Sequence, residues 1–107
     1  MKQETAPLWE DAREARLLRA FLALQDEEEC RAFLEDICTR AEIQEMSRRL
    51  RAAALLRAGT SYLDVAAETG LSTATISRVS RCLKNGGGGY ARVLSRIEDA
   101  EEGKGNA

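Results

Sequence analysis

The stretch YLDVAAETGLSTATISRVSR, residues 62–81, constrains this chain more than any other. It reads as two short helices meeting at a corner. A tight turn between steeply crossing helices needs a backbone that accepts positive φ, and Gly70 supplies it. It also needs a small residue where the two backbones approach, and Ala66 fills that place. Val65 before the turn, Leu71 within it, and Ile76 and Val79 after it are then expected to meet in one small core. Thr69 stands where an apolar residue is commoner. The pattern is a helix-turn-helix; the alternative is an ordinary αα-hairpin packed inside a bundle.

The rest of the chain also reads as helix. Ala, Leu, Glu and Arg dominate and only 5% of residues are aromatic, so the expected fold class is all-α. About six helices are expected, in a single domain over residues 1–107. The first runs from about Trp9 to Leu24, with Leu17, Leu18, Phe21, Leu22 and Leu24 on its apolar side. Asp26 followed by Glu29 opens a second helix with a capping-box pattern, carrying Cys30, Phe33, Leu34 and Ile37 as a stripe. Thr39 with Glu42 opens a long third helix with Ile43, Met46, Leu50, Ala53, Ala54 and Leu56 inward, closed by Gly59. Ser61 and Ser72 cap the fourth helix and a fifth over about 73–83; the four glycines from Gly86 to Gly89 break the chain before a last helix over 90–97. Residues 98–107 are expected to be a disordered tail.

Charge is distributed unevenly. The leader to Thr39 holds five basic and ten acidic residues (Lys2 among the basic), whereas residues 40–84 hold eight basic (Arg40, Arg48, Arg49, Arg51, Arg57, Arg78, Arg81, Lys84) and four acidic. A basic central half suits an anionic polymer despite the net charge of -2. Cys30, Cys38 and Cys82 form no CxxC pair and no histidine accompanies them, so neither a metal site nor a cofactor is expected. Free, buried thiols in a reducing cytoplasm are the expectation. No nucleotide loop or nucleophile elbow is present, which argues against an enzyme. No apolar run reaches the roughly 20 residues of a membrane span.

With Ile76, Val79, Ser80 and Leu83 inward, the helical period turns Ala74, Arg78 and Arg81 outward, flanked by Thr73, Thr75 and Ser77. Small residues near a helix start permit close approach to base edges, and hydroxyls and arginines supply polar contacts. Thr73, Ala74, Thr75 and Ser77 are therefore the candidates for base contact in double-stranded DNA. Ser61, Tyr62 and Ser72 at helix N-termini, with Arg78, Arg81 and Lys84, are the candidates for phosphate or base. A protein-interaction module that keeps this shape without reading DNA is the alternative; exposed Leu or Phe on the same face would favour it.

The segments TRAEIQEMSRRLRAAALLRAG and ETGLSTATISRVSRCLKNG, with EEECRAFLEDICT before them, resemble the Trp repressor family and especially its YerC/YecD-like branch, over roughly residues 28–90. The resemblance implies an intertwined homodimer whose two recognition helices read a palindromic operator through the major groove, as a cytoplasmic bacterial transcription regulator, expected to be a repressor. It also locates a co-repressor pocket, and there the chain departs from the family. Two arginines that hold tryptophan correspond to Arg49 and Arg78, but the glycine that makes room for the indole is Val79 and a ligand-facing serine is Cys82. A vestigial pocket without tryptophan is expected; whether another small-molecule effector binds, the sequence leaves open.

Overall fold

Short polar side chains set where the helices begin. In the computed structural model, which describes residues 7–105 and side chains as far as Glu101, the Asp11 carboxylate accepts the Arg13 N–H and starts α1, Ala12–Leu22. The same carboxylate accepts two further bonds from the Arg13 guanidinium, which hold its pKa down at about 2. Trp9, expected inside this helix, lies before it with φ of 81°. Asp26 accepts the Glu29 N–H at 2.9 Å and opens α2, Glu27–Ile37. Glu29 reaches back to the N–H of Gln25 rather than to that of Asp26, one residue beyond the usual reciprocal partner. The long α3, Arg40–Arg57, follows. Ser61 caps α4, Tyr62–Thr69, and Ser72 caps α5, Thr73–Asn85. The last helix, α6, is Gly89–Gly105. Six helices and no strand are present among the described residues, an all-α fold.

The last helix runs on into the stretch read as a tail. It continues eight residues past Ile97, through EDAEEGKG, as far as Gly105. Ala and Glu favour helix even where little packs against them, and Glu98 is anchored to Arg57 by an ion pair at 3.7 Å. Residues 106 and 107 of the expected tail, like Lys2 of the acidic leader, lie outside the described residues.

The chain forms two compact units, the first ending at Arg40 and the second starting at Ala41. The second holds the core: Ala52, Ala53, Val65, Leu71, Ile76, Val79 and Leu94. Two adjacent alanines of α3 are wholly buried, and their small side chains give the surrounding helices room to approach. Ala52 was not among the expected inward residues, and Met46, which was, is exposed. In the first unit neither α1 nor α2 has a buried residue. Phe21 and Phe33 meet edge to face with ring centroids 5.4 Å apart, yet Leu18, Phe21, Leu22 and Ile37 remain exposed, Leu22 at 84%. The apolar stripes lie on the expected helices, with Leu17, Leu24, Cys30, Phe33 and Leu34 half-buried and the others exposed. The three cysteines are free and half-buried rather than buried.

Candidate nucleic-acid interface

The turn between α4 and α5 decides which way α5 faces. Gly70 takes φ of 74° and ψ of 8°, the left-handed region, and its N–H closes α4 on the Ala66 carbonyl at 2.8 Å. Thr69, the unusual residue of the pattern, is buried at 8% exposure, but its hydroxyl is satisfied on both sides. It donates to the Val65 carbonyl at 2.7 Å and accepts the Leu71 N–H at 3.3 Å. The polar side chain therefore links the end of α4 to the turn, doing with hydrogen bonds what an apolar residue would do by packing.

From that corner α5 presents two unlike faces. Ile76 is fully buried, Val79 is 2% exposed, Ser80 is buried and Leu83 is half-buried. On the other side Thr73, Ala74, Arg78, Arg81 and Lys84 are exposed, with Thr75 and Ser77 half-buried beside them. No large apolar residue lies on this outer face. The helix has no acidic residue, and Arg78, Arg81 and Lys84 make no ion pair with any described residue. By contrast, three arginines of α3 are engaged within the second unit. Arg49 pairs with Glu45 at 3.2 Å, Arg51 holds Glu68 of α4 at 2.7 Å, and Arg57 reaches Ser95 and Glu98 of α6. Composition alone made these basic residues equivalent; the fold leaves the ones on α5 available.

The caps differ in what they can still offer. Ser72 accepts the Thr75 N–H at 3.2 Å and donates its own proton to the Thr75 hydroxyl at 3.1 Å, so Thr75 rather than Ser72 keeps a hydroxyl proton to give. Ser61 only accepts, from the Asp64 N–H at 3.2 Å, and its proton is uncommitted. Tyr62, the next residue, is 42% exposed.

The residues expected around a vestigial pocket differ in burial and in partners. Val79 belongs to the core and cannot turn outward without opening it. Arg49 is tied to Glu45, and Arg78 is exposed. Cys82 lines an open hollow of about 460 Å³ with Leu50, Tyr90 and Val93. Tyr90 is the residue that sequence reasoning missed here. Burial pushes its phenol pKa above 10, Cys82 adds to the rise, and Arg49 and Arg78 act against it, so the four groups share one neighbourhood. Its signal in the sequence was slight: one aromatic residue directly after four glycines.

The chain is similar to known proteins over most of its length. Residues 14–98 fit the family described as Trp repressor protein. The protein YerC of Bacillus subtilis (strain 168) is 46% identical over 86 residues, covering 80% of this chain and 83% of YerC. A solved TrpR-like protein from Eubacterium eligens superposes with a TM-score of 0.77 at 44% identity, covering 84% of this chain and 93% of that one. A second solved structure, from Staphylococcus aureus, gives a TM-score of 0.74 at 42% identity, with 81% and 87% covered.

Proposed function

The chain belongs to the Trp repressor family, and from that premise we propose that it is a transcription regulator that reads a palindromic operator with the outer face of α5. The observation that carries the reading is the composition of that face: exposed Ala74, Arg78 and Arg81 among small hydroxyl residues, three unpaired cations and no carboxylate on the helix. Thr73, Ala74, Thr75 and Ser77 contact base edges, where their small size admits the major groove wall. Ser61, Tyr62, Arg78, Arg81 and Lys84 hold phosphates; Ser72 serves through the helix terminus it caps. Selecting binding sites from random duplexes tests this. Enrichment of a two-fold symmetric site with half-sites about one DNA turn, ~34 Å, apart is expected. Recovery of no common site would favour the protein-interaction alternative.

Arg81→Ala is expected to weaken binding to specific and random duplexes alike and to lower the slope of log affinity against log salt by about one. Titrations at several salt concentrations check it; unchanged affinity for both duplexes removes Arg81 from the interface.

Two-fold symmetry in the operator requires a dimer, and α1 and α2 give it a physical basis. Leu18, Phe21, Leu22 and Ile37 are exposed on the first unit, and grouped apolar side chains of this kind mark surfaces that a partner covers. A second copy of the chain covers it in this reading. Leu22→Asp places a charge at the most exposed of these positions and is expected to raise the dimer dissociation constant at least tenfold in sedimentation equilibrium. An unchanged constant would remove α1 from the contact.

Tryptophan is not the effector in this account. Val79 fills from the core side the space that the family's glycine leaves open, and Cys82 is a poor partner for an amine. Calorimetry is expected to show no saturable heat with tryptophan; micromolar uptake would overturn this.

A further inference from the structure

A second hollow, of about 420 Å³, opens on the second unit between the end of α3, the turn before α4, α5 and α6. Its walls are apolar where Leu56 and Leu83 face it, and its rim carries Arg57 and Lys84 with no acidic residue among the lining. The Ser80 side chain also lines it. Ser80 is 5% exposed and its hydroxyl has no hydrogen-bond partner among the described residues. No buried side-chain polar atom among the described residues lacks a partner, so the Ser80 hydroxyl keeps contact with solvent, which reaches it through the hollow. A hollow of this volume that joins the apolar Leu56, Leu83 and Ala91 to the hydroxyls of Thr60, Tyr62 and Ser80 and a cationic rim has the usual make-up of a small-molecule site.

The geometry points to a binding site for a small carboxylate with an apolar body. The body lies against Leu56 and Leu83, and the carboxylate end bonds the Ser80 hydroxyl and faces Lys84. Of the two cations, Lys84 is the one free to respond, since Arg57 is already held by Ser95 and Glu98. A bare phosphate would leave the apolar walls unused, so the occupant is an organic anion rather than a DNA phosphate group. The hollow also touches the proposed DNA surface, because Tyr62 and Lys84 line it. If α5 reads DNA, as proposed above, a ligand that engages Lys84 removes a phosphate contact, and carboxylate and DNA bind in competition. That coupling rests on the DNA reading; the site itself does not.

The test begins without DNA. The full-length protein is titrated with hexanoate, followed by amide and methyl shifts, alongside hexan-1-ol, hexylamine and inorganic phosphate. Saturable shifts centred on Leu56, Thr60, Ser80 and Leu83 are expected, with hexan-1-ol and hexylamine at least tenfold weaker. Ser80→Ala, with the melting transition retained, is expected to weaken hexanoate about tenfold. Ala91→Phe, which fills the hollow from α6, should abolish the shifts, and melting followed in parallel separates this from unfolding. Shifts confined to α1 and α2, equal response to hexylamine, phosphate as strong as hexanoate, or no effect of either substitution would each overturn the site. In a second arm, hexanoate at saturation is expected to weaken retention of a random duplex. Saturable hexanoate binding with undiminished DNA retention would overturn the coupling, and absence of DNA retention at any hexanoate concentration would instead contradict the reading of α5.

Discussion

Alanine in place of Ile76 is expected to remove about 3 kcal/mol of stability, within the roughly 2–5 kcal/mol range for truncating a buried isoleucine. Ile76 is fully buried and lies among Val65, Leu71 and Val79, at the point where α4, the turn and α5 meet. Its loss leaves a cavity lined by side chains that the Gly70 corner holds in place, so the site has little freedom to collapse. A unit of this size is stabilised by only about 3–10 kcal/mol in total. The substitution therefore approaches the limit of folding for the second unit. Urea denaturation followed by circular dichroism checks it through the midpoint at constant slope. A change below about 1 kcal/mol would mean that the small core does not hold the corner.

The second large effect concerns binding with the fold untouched. Ala74→Glu is expected to lower affinity for the selected operator more than a hundredfold, about 2.7 kcal/mol, while leaving thermal unfolding unchanged. Ala74 is exposed on the first turn of α5, so a longer side chain meets no neighbour in the free protein. Against DNA the same side chain fills space that alanine leaves open to a base edge and sets a carboxylate toward phosphates, where like charges cost several kcal/mol. It also places a negative charge on a helix that has none, although the helix N-terminus favours it and keeps the fold intact. Equal affinity for wild type and variant would show that the first turn of α5 stays clear of the duplex.

How much of this could be read from the chain depends on whether a feature is local. Asp26, Ser61, Ser72 and Gly70 act within four residues of themselves, and each takes the role its chemistry predicts. The division of α5 into buried Ile76 and Val79 and exposed Ala74, Arg78 and Arg81 likewise follows from the helical period once the turn is located. What was not legible involves partners distant in sequence. Arg51 meets Glu68 and Arg57 meets Ser95, and nothing in the composition distinguishes those arginines from Arg78 or Arg81. Extension of α6 to Gly105 depends on intrinsic propensity and an ion pair to Arg57 across 41 residues of chain. The exposure of Leu18, Phe21 and Leu22 is illegible for another reason: a helical period says which side chains share a face, and says nothing of whether the chain itself supplies a cover. Thr69 shows the converse, a residue whose departure from the apolar pattern is resolved by two hydrogen bonds that only the folded corner makes available.

The most direct test of α5 as the element that meets DNA is amide shift mapping of the intact protein with a 20-base-pair duplex of random sequence at low salt. Perturbations are expected to concentrate at Ser61, Tyr62 and residues 72–84, and to weaken together as salt is raised. Perturbations confined to residues outside α4 and α5, or none at protein and duplex concentrations that bring a basic helix into contact with phosphate, would contradict the account.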